Sequence, residues 1–119
     1  MVLLSAPDAG IYAGAGWFTA LADAARAAVP DARVSAILDC GDDAGAAQAA
    51  LRAGVAAIVF TGRPDVAERL AGIAASRGAR LLTRRPVADL DLAAEFFADA
   101  ATLRDRCVAA LAFHDPGGY

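Results

Sequence analysis

Short apolar runs alternate along the chain with longer stretches that are rich in alanine. Four of the runs have the length of β-strands and predict strands over residues 2–5, 33–39, 55–60 and 80–83. The third run reads Val-Ala-Ala-Ile-Val-Phe and contains no polar residue. An uninterrupted apolar run of this length is typical of a parallel strand that is buried on both faces.

The stretches between the strands carry helix start and stop signals. Pro30 follows the first stretch, while Gly54 and Gly78 stand where a helix C′ residue adopts the left-handed conformation. Asp42 or Asp43 suits the N-cap of the second helix, where a carboxylate interacts favourably with the helix dipole. These signals predict helices over residues 17–29, 42–53, 63–77 and 91–112, whereas residues 7–16 predict a loop containing Gly and Pro.

Four strand–helix units in succession predict an α/β fold with parallel strands and right-handed crossovers. We expect a single domain over residues 1–113, a flavodoxin-like four-stranded parallel sheet with helices on both faces, and a C-terminal tail over 114–119. In the expected spatial strand order 2-1-3-4, the first helix covers one face and the next two cover the other. The long fourth helix then returns to the first face.

The segment from Ala50 to Gly62 reads Ala-Leu-Arg-Ala-Gly-Val-Ala-Ala-Ile-Val-Phe-Thr-Gly. It resembles the repeating unit of aldolase-type and phosphate-binding (β/α) barrels, in which an alanine-glycine turn leads into an apolar strand and a glycine loop. The resemblance covers about half of the chain, and four units make half a barrel. It implies no activity, because the chain contains no lysine to match the Schiff-base lysine of class I aldolases.

Charge and composition exclude several classes of function. The net charge is −3, and the 11 cationic residues, all arginine, form no basic stripe, so no nucleic-acid partner is expected. The chain has no run of about 18 apolar residues and no secretory signal pattern, so we expect a cytoplasmic protein without a membrane partner. Cys40 and Cys107 belong to no CxxC or Cys/His cluster, so we expect reduced thiols, no metal and no cofactor.

Ligands of open parallel sheets bind beyond the carboxyl ends of the strands, so polar residues at these positions are the candidate site. Thr61, Gly62 and Arg63 form a glycine loop that leads into a helix, which exposes backbone N–H groups next to an arginine. Arg84 and Arg85 follow the neighbouring strand. Together these five residues predict a site for a phosphate or a carboxylate, the alternative being ordinary surface arginines that face water.

Three further residues at the same edge are candidates for catalysis. Asp8 follows the first strand and Asp39 the second, where a carboxylate can transfer protons, and Ser5 lies near them. Cys40 next to a helix N-terminus could act as a nucleophile, the alternative being a structural thiol. Asp39, Asp42 and Asp43 could also bind a divalent cation, the alternative being that Asp42 or Asp43 caps the following helix.

The last predicted helix carries apolar residues outside its core stripe. Phe97 and Val108 lie to one side of that stripe and indicate a contact between copies of the chain. Trp17 and Phe18 are expected to be core anchors of their helix and a contact for a partner, the alternative being an aromatic wall for a ligand. The sequence therefore favours a self-associating α/β module that binds a small anion, the alternative being a small enzyme acting on a phosphorylated or carboxylated metabolite in a site shared between subunits.

Overall fold

A computed structural model describes residues 1–87 together with residues 105, 108 and 109. The chain divides into two compact units, Met1–Arg85 and Pro86–Tyr119, and the whole sheet lies in the first unit. The single domain over 1–113 stays a prediction. The predicted helix over 91–112, with Phe97, and the tail over 114–119 lie outside the described residues, apart from the three isolated positions.

The first unit contains one four-stranded sheet in which every pair of neighbouring strands is parallel. The strands follow the predicted runs, trimmed by one to three residues, as β1 (Val2–Leu4), β2 (Ser35–Asp39), β3 (Ala57–Val59) and β4 (Arg80–Leu82). Leu38 pairs with Ile58, and Ile58 with Leu81. The predicted α/β class, with helices between parallel strands as in flavodoxin-like proteins, is confirmed.

Four helices connect the strands: α1 (Ala9–Tyr12), α2 (Gly14–Ala28), α3 (Ala44–Arg52) and α4 (Pro64–Ser76). The prediction of a loop over residues 7–16 was wrong, because α1 and the start of α2 occupy most of it. Glycine makes this possible. A Cβ at Gly10 would lie 2.8 Å from Sγ of Cys40, so only glycine lets α1 pack closely on the end of β2.

The predicted helix signals act as expected at α3 and α4. Asp43 caps α3, its side chain accepting a hydrogen bond from the Ala46 N–H at 2.9 Å. Gly54 and Gly78 follow the two helices with φ of 90° and 69°, in the left-handed region that glycine adopts most readily. Pro64 is the first residue of α4, where its missing N–H has no cost.

The strand order is β1-β2-β3-β4, which corrects the expected order 2-1-3-4. Right-handed crossovers that always step in the same direction place their helices on the same face of the sheet. Accordingly α2 packs against α3 and α3 against α4, so α2 does not lie on the face opposite to its neighbours. The helix that was expected to cover the other face falls within residues 91–112, outside the described part of the chain.

The two central strands are nevertheless buried on both faces. Leu38 and Ile58 belong to the cluster of apolar residues that packs between the sheet and the helices. The alternate residues Ile37 and Val59 point to the other face, and they are only 3% and 0% exposed. The prediction that the apolar run over residues 55–60 forms a strand buried on both faces is therefore confirmed.

The two aromatic residues at the start of α2 differ in burial. Phe18 is 4% exposed and lies in the core cluster, as predicted, whereas Trp17 is 51% exposed. Consecutive helical positions are 100° apart, so a helix that inserts Phe18 into the core turns Trp17 toward its outer edge. The expectation that both residues anchor the core was wrong for Trp17.

Within the described residues, no helix combines the length and the apolar character needed to cross a membrane.

Two glycines of this fold should respond to alanine in opposite directions. Gly54 has a φ of 90°, so Gly54→Ala should lower the free energy of unfolding by about 1 kcal/mol. Gly72 lies within α4 and a Cβ there would contact nothing, so Gly72→Ala should raise it by roughly 0.5–1 kcal/mol. Urea unfolding of both variants measures the two values. Shifts of the same sign would contradict the assigned helix ends.

Candidate functional site

Asp39 is the centre of the carboxyl edge of the sheet. It ends β2, it is only 4% exposed, and both of its carboxylate oxygens accept hydrogen bonds. Oδ1 accepts from the backbone N–H of Gly41 at 2.8 Å and of Asp8 at 3.3 Å, and Oδ2 accepts from Nη1 of Arg85 at 2.8 Å. A buried carboxylate is stable only when it is paired in this way.

The loop after β1 is fixed to β2 by the same residue. Ser5 is buried, its Oγ accepts a hydrogen bond from the Asp39 N–H at 2.9 Å, and its hydroxyl donates to the Ala6 carbonyl at 3.0 Å. The next loop residue in contact is Asp8, the only non-glycine residue of the described chain with a positive φ, 61°. Hydrogen bonds to Asp39 thus fix the conformation of the loop that follows β1.

Gly41 allows Asp8 to approach the end of β2. Gly41 has a φ of 57°, and a Cβ at this position would overlap Oδ1 of Asp8. The Asp8 side chain therefore lies directly over the Gly41 backbone, while the Asp8 N–H donates to Oδ1 of Asp39. Two of the three predicted catalytic candidates, Asp8 and Asp39, are brought together at this point.

Arg85 reaches Asp39 from the segment that follows β4. Its side chain is 33% exposed, while that of Asp39 is 5% exposed. Within the described chain, only Nη1 of this guanidinium has a hydrogen-bond partner. The pairing fixes one end of a planar five-donor group and leaves its remaining N–H donors for another acceptor.

The other four residues of the predicted anion site have different surroundings. Nη2 of Arg63 lies 3.0 Å from Oδ2 of Asp65, in a pair whose arginine side chain is 80% exposed. Arg84 is exposed, as is Thr61, whose N–H donates to the Gly41 carbonyl at 2.8 Å. Gly62 is partly buried, and a Cβ there would lie 2.5 Å from the Phe60 ring. The sheet edge thus joins Thr61 to the Asp39 loop, while Arg63 pairs locally.

Cys40 has the character of a structural thiol. It is fully buried, and burial, followed by the negative charges of Asp39 and Asp43, raises its pKa to about 12. The thiol is therefore neutral near pH 7 and a poor nucleophile, because the thiolate is the reactive form. A nucleophilic cysteine next to a helix N-terminus would need a lowered pKa, and the raised pKa of Cys40 favours the alternative of a structural thiol.

The contact between Asp39 and Arg85 was missed by sequence reasoning, although both residues were candidates. Parallel strands bring their carboxyl ends to one edge, which placed Ser5, Asp8 and Asp39 together in advance. The two residues are 46 positions apart, and Arg85 lies in an irregular segment after β4. The pattern of apolar and polar residues does not predict the path of such a segment. One signal could have revealed the contact. Asp39 ends an apolar run, and an acidic residue that is buried in this position requires a cationic partner.

Across the described residues, no three His, Cys, Asp or Glu side chains lie close enough together to hold a metal ion.

No protein family, characterised protein or solved structure matches the chain. Functional inference therefore rests on the chemistry of the carboxyl edge itself.

Replacing Asp39 should destabilise the protein far more than replacing an exposed partner of an ion pair. Asp39→Asn sets an amide group against Arg85 in a buried position and should cost about 2–3 kcal/mol of unfolding free energy. The matched change Asp65→Asn breaks the exposed pair with Arg63 and should cost less than about 0.5 kcal/mol. Equal costs in urea unfolding would argue against a central role of Asp39.

Cys40 should be protected from thiol reagents until the protein unfolds. A pKa of about 12, against the ordinary 9.0, makes the thiolate fraction at pH 8 roughly 1000-fold lower than in the unfolded chain. Ellman's reagent should therefore label Cys40 in a Cys107→Ser background only after urea is added. Rapid labelling of the folded protein would contradict this burial.

The same pKa shift predicts a loss of stability in alkali. Between about pH 9 and pH 12 the folded protein keeps the Cys40 proton that the unfolded chain releases. This contribution to stability is fully present below pH 9 and is lost as the pH rises through that window. Cys40→Ala, measured beside the Cys107→Ser parent, should flatten the corresponding part of the stability curve.

Proposed function

We propose that this protein is a small self-associating α/β module that binds a small anion, a phosphate or a carboxylate, at the carboxyl edge of its sheet. The observation that carries the proposal is the 2.8 Å contact between Arg85 and the buried Asp39. It holds a partly exposed guanidinium at the edge where parallel sheets bind their ligands.

Arg85 has the properties of an anion receptor. A guanidinium presents its donors in a rigid fork that matches two oxygens of a phosphate or carboxylate. Because Asp39 already fixes one nitrogen, less side-chain entropy is lost when the remaining donors bind a ligand. Asp39 acts here as a positioning residue for Arg85.

The charge of the surrounding residues completes the proposed site. Asp39 neutralises part of the charge of Arg85, which weakens the attraction of Arg85 for an anion. The neighbouring Arg84 is exposed and supplies further positive charge. Thr61 is connected to this region through two hydrogen bonds, its own to Gly41 and that of Gly41 to Asp39. Its exposed hydroxyl is a further donor.

Arg63 and Gly62 extend the proposed site toward α4. No side chain caps the start of this helix, and its first turn favours negative charge. Asp65 occupies that turn and pairs with Arg63, so an incoming anion would compete with Asp65 for the Arg63 guanidinium. Arg63 therefore contributes less to affinity than Arg85.

Self-association through the C-terminal segment remains part of the proposal. Val108 is 60% exposed, as an apolar residue at a contact between copies would be in the isolated chain. Its expected companion Phe97 lies outside the described residues. We further propose that the protein acts in the cytoplasm.

A second candidate function is catalysis on a phosphorylated or carboxylated metabolite, in a site completed by a neighbouring subunit. The observation that favours it is the positive φ of Asp8, since a strained residue whose surroundings fix its conformation is common at active sites. The Asp8 N–H donates to Asp39, the partner of Arg85, so the Asp8 carboxylate is the candidate to exchange a proton with a substrate that Arg85 binds.

A thermal-shift titration with phosphate, citrate and nucleotides tests anion binding. Saturating ligand should raise the melting temperature by about 5 °C or more, because it binds only the folded state. Arg85→Lys keeps the charge beside Asp39 but lacks the fork, and should lose most of this rise. The control is Arg77→Lys, at the opposite end of α4, which should respond as the parent does.

The outcomes separate the candidates. No shift with any anion would refute the binding site, and a shift that Arg85→Lys leaves intact would place the ligand elsewhere. If the bound anion is chemically converted, and Asp8→Asn abolishes conversion without abolishing the shift, the second candidate function replaces the first.

A further inference from the structure

The carboxylate of Asp8 lies at the carboxyl edge of the sheet without a partner among the described residues. It takes part in no hydrogen bond and no ion pair there, in contrast to the carboxylate of Asp39. In the same part of the chain every buried side-chain oxygen has a hydrogen-bond partner, so the unpaired Asp8 oxygens are in contact with solvent. A carboxylate with two accepting oxygens is thus available to a ligand.

Asp8 and Arg85 are both bound to Asp39 but not to each other. The Asp8 N–H donates to Oδ1 of Asp39 at 3.3 Å, and Nη1 of Arg85 donates to Oδ2 at 2.8 Å. One carboxylate therefore connects a loop that carries a negative charge to a side chain that carries a positive one. Within the described chain the ion pair of Arg85 is with Asp39 alone, so Asp8 and Arg85 can each bind a further group of opposite charge.

An apolar side chain borders the position of Asp8. A Cβ at Gly41 would overlap Oδ1 of Asp8, and it would lie 3.3 Å from Cδ1 of Ile11. The Asp8 carboxylate and this methyl group therefore lie on the same side of the Gly41 backbone. Ile11 is 40% exposed, so it can contact the methylene groups of a small molecule that is bound to Asp8.

We propose that the ligand of the carboxyl edge is a zwitterion, whose anionic group binds Arg85 and whose protonated amine binds Asp8. This inference rests on the proposed function, because it requires an anion on Arg85. It narrows the ligand to amino acids and aminoalkyl phosphates in which a short methylene chain separates the two charges. An ammonium group supplies three donors for the Asp8 oxygens. An anion without an amine would instead meet an unneutralised carboxylate, which repels it.

Isothermal titration calorimetry of the full chain with two matched pairs of ligands tests the proposal. The pairs are butyrate with 4-aminobutyrate, and ethyl phosphate with 2-aminoethyl phosphate. In one pair or both, the aminated member should bind at least about tenfold more tightly, which is the contribution of a hydrogen bond between charged groups. This comparison uses the parent protein and needs no variant.

Asp8→Asn should abolish the preference for the amine by changing the two affinities in opposite directions. The aminated ligand loses its charged partner and should bind more weakly, while the plain anion is no longer repelled and should bind more tightly. A merely structural role of Asp8 would change both affinities in the same direction. Asparagine also tolerates the positive φ of this position, so the variant keeps the backbone conformation.

Asp31→Asn is the matched control. It removes the same charge from an exposed aspartate in the turn before β2, at the opposite edge of the sheet, and should leave the preference for the amine unchanged. Equal binding of the two members of each pair by the parent, or a preference that Asp8→Asn retains, would overturn the zwitterion proposal and leave the anion site intact. Failure of all four ligands to bind overturns it as well, and the proposed function fails with it only if phosphate and citrate also leave the melting temperature unchanged.

Discussion

A buried carboxylate at the end of a central strand constrains the whole carboxyl edge of this protein. Asp39 has lost its water, so each of its oxygens must find a donor within the chain. The donors come from the loop after β1, the turn after β2 and the segment after β4. Three separate connections are thereby held around one side chain, and the position of Arg85 follows from this requirement.

The same constraint gives the proposed function its geometry. An exposed arginine samples many conformations, whereas Arg85 is fixed at one nitrogen, and its other donors have no hydrogen-bond partner among the described residues. Cys40, next to Asp39 in sequence, is buried on the helix side and stays neutral, so it contributes packing rather than reactivity. The donors of Arg85 that Asp39 fixes at this edge therefore suit the proposed anion binding, whereas the neutral Cys40 thiol does not suit covalent chemistry.

Local sequence signals were sufficient to predict the strands and most helix ends. Apolar runs form the strands, Asp43 caps a helix, and Gly54 and Gly78 end helices by adopting a positive φ, and none of these effects depends on distant residues. The strand order was not accessible in this way, since local signals are the same whether a crossover steps to the left or the right of its strand.

The candidate site was predicted in its members but not in its contacts. Asp39 and Arg85 were both chosen because they follow strands, yet the choice between Arg85 and Arg63 as the partner of Asp39 depends on loop paths that carry no periodic signal. The exposed Trp17 is a similar case. An alanine-rich helix shows little contrast between its faces, so the sequence alone does not reveal which side meets the sheet.

A double-mutant cycle between Asp39 and Arg85, measured by urea unfolding, tests this account most directly. If the pair organises the carboxyl edge, Asp39→Asn and Arg85→Gln should be coupled by about 1.5–3 kcal/mol, as expected for a shielded hydrogen bond between charged groups. Coupling below about 0.5 kcal/mol, the range of additive changes, would show that Asp39 is stable without Arg85 and would contradict the central role of their contact.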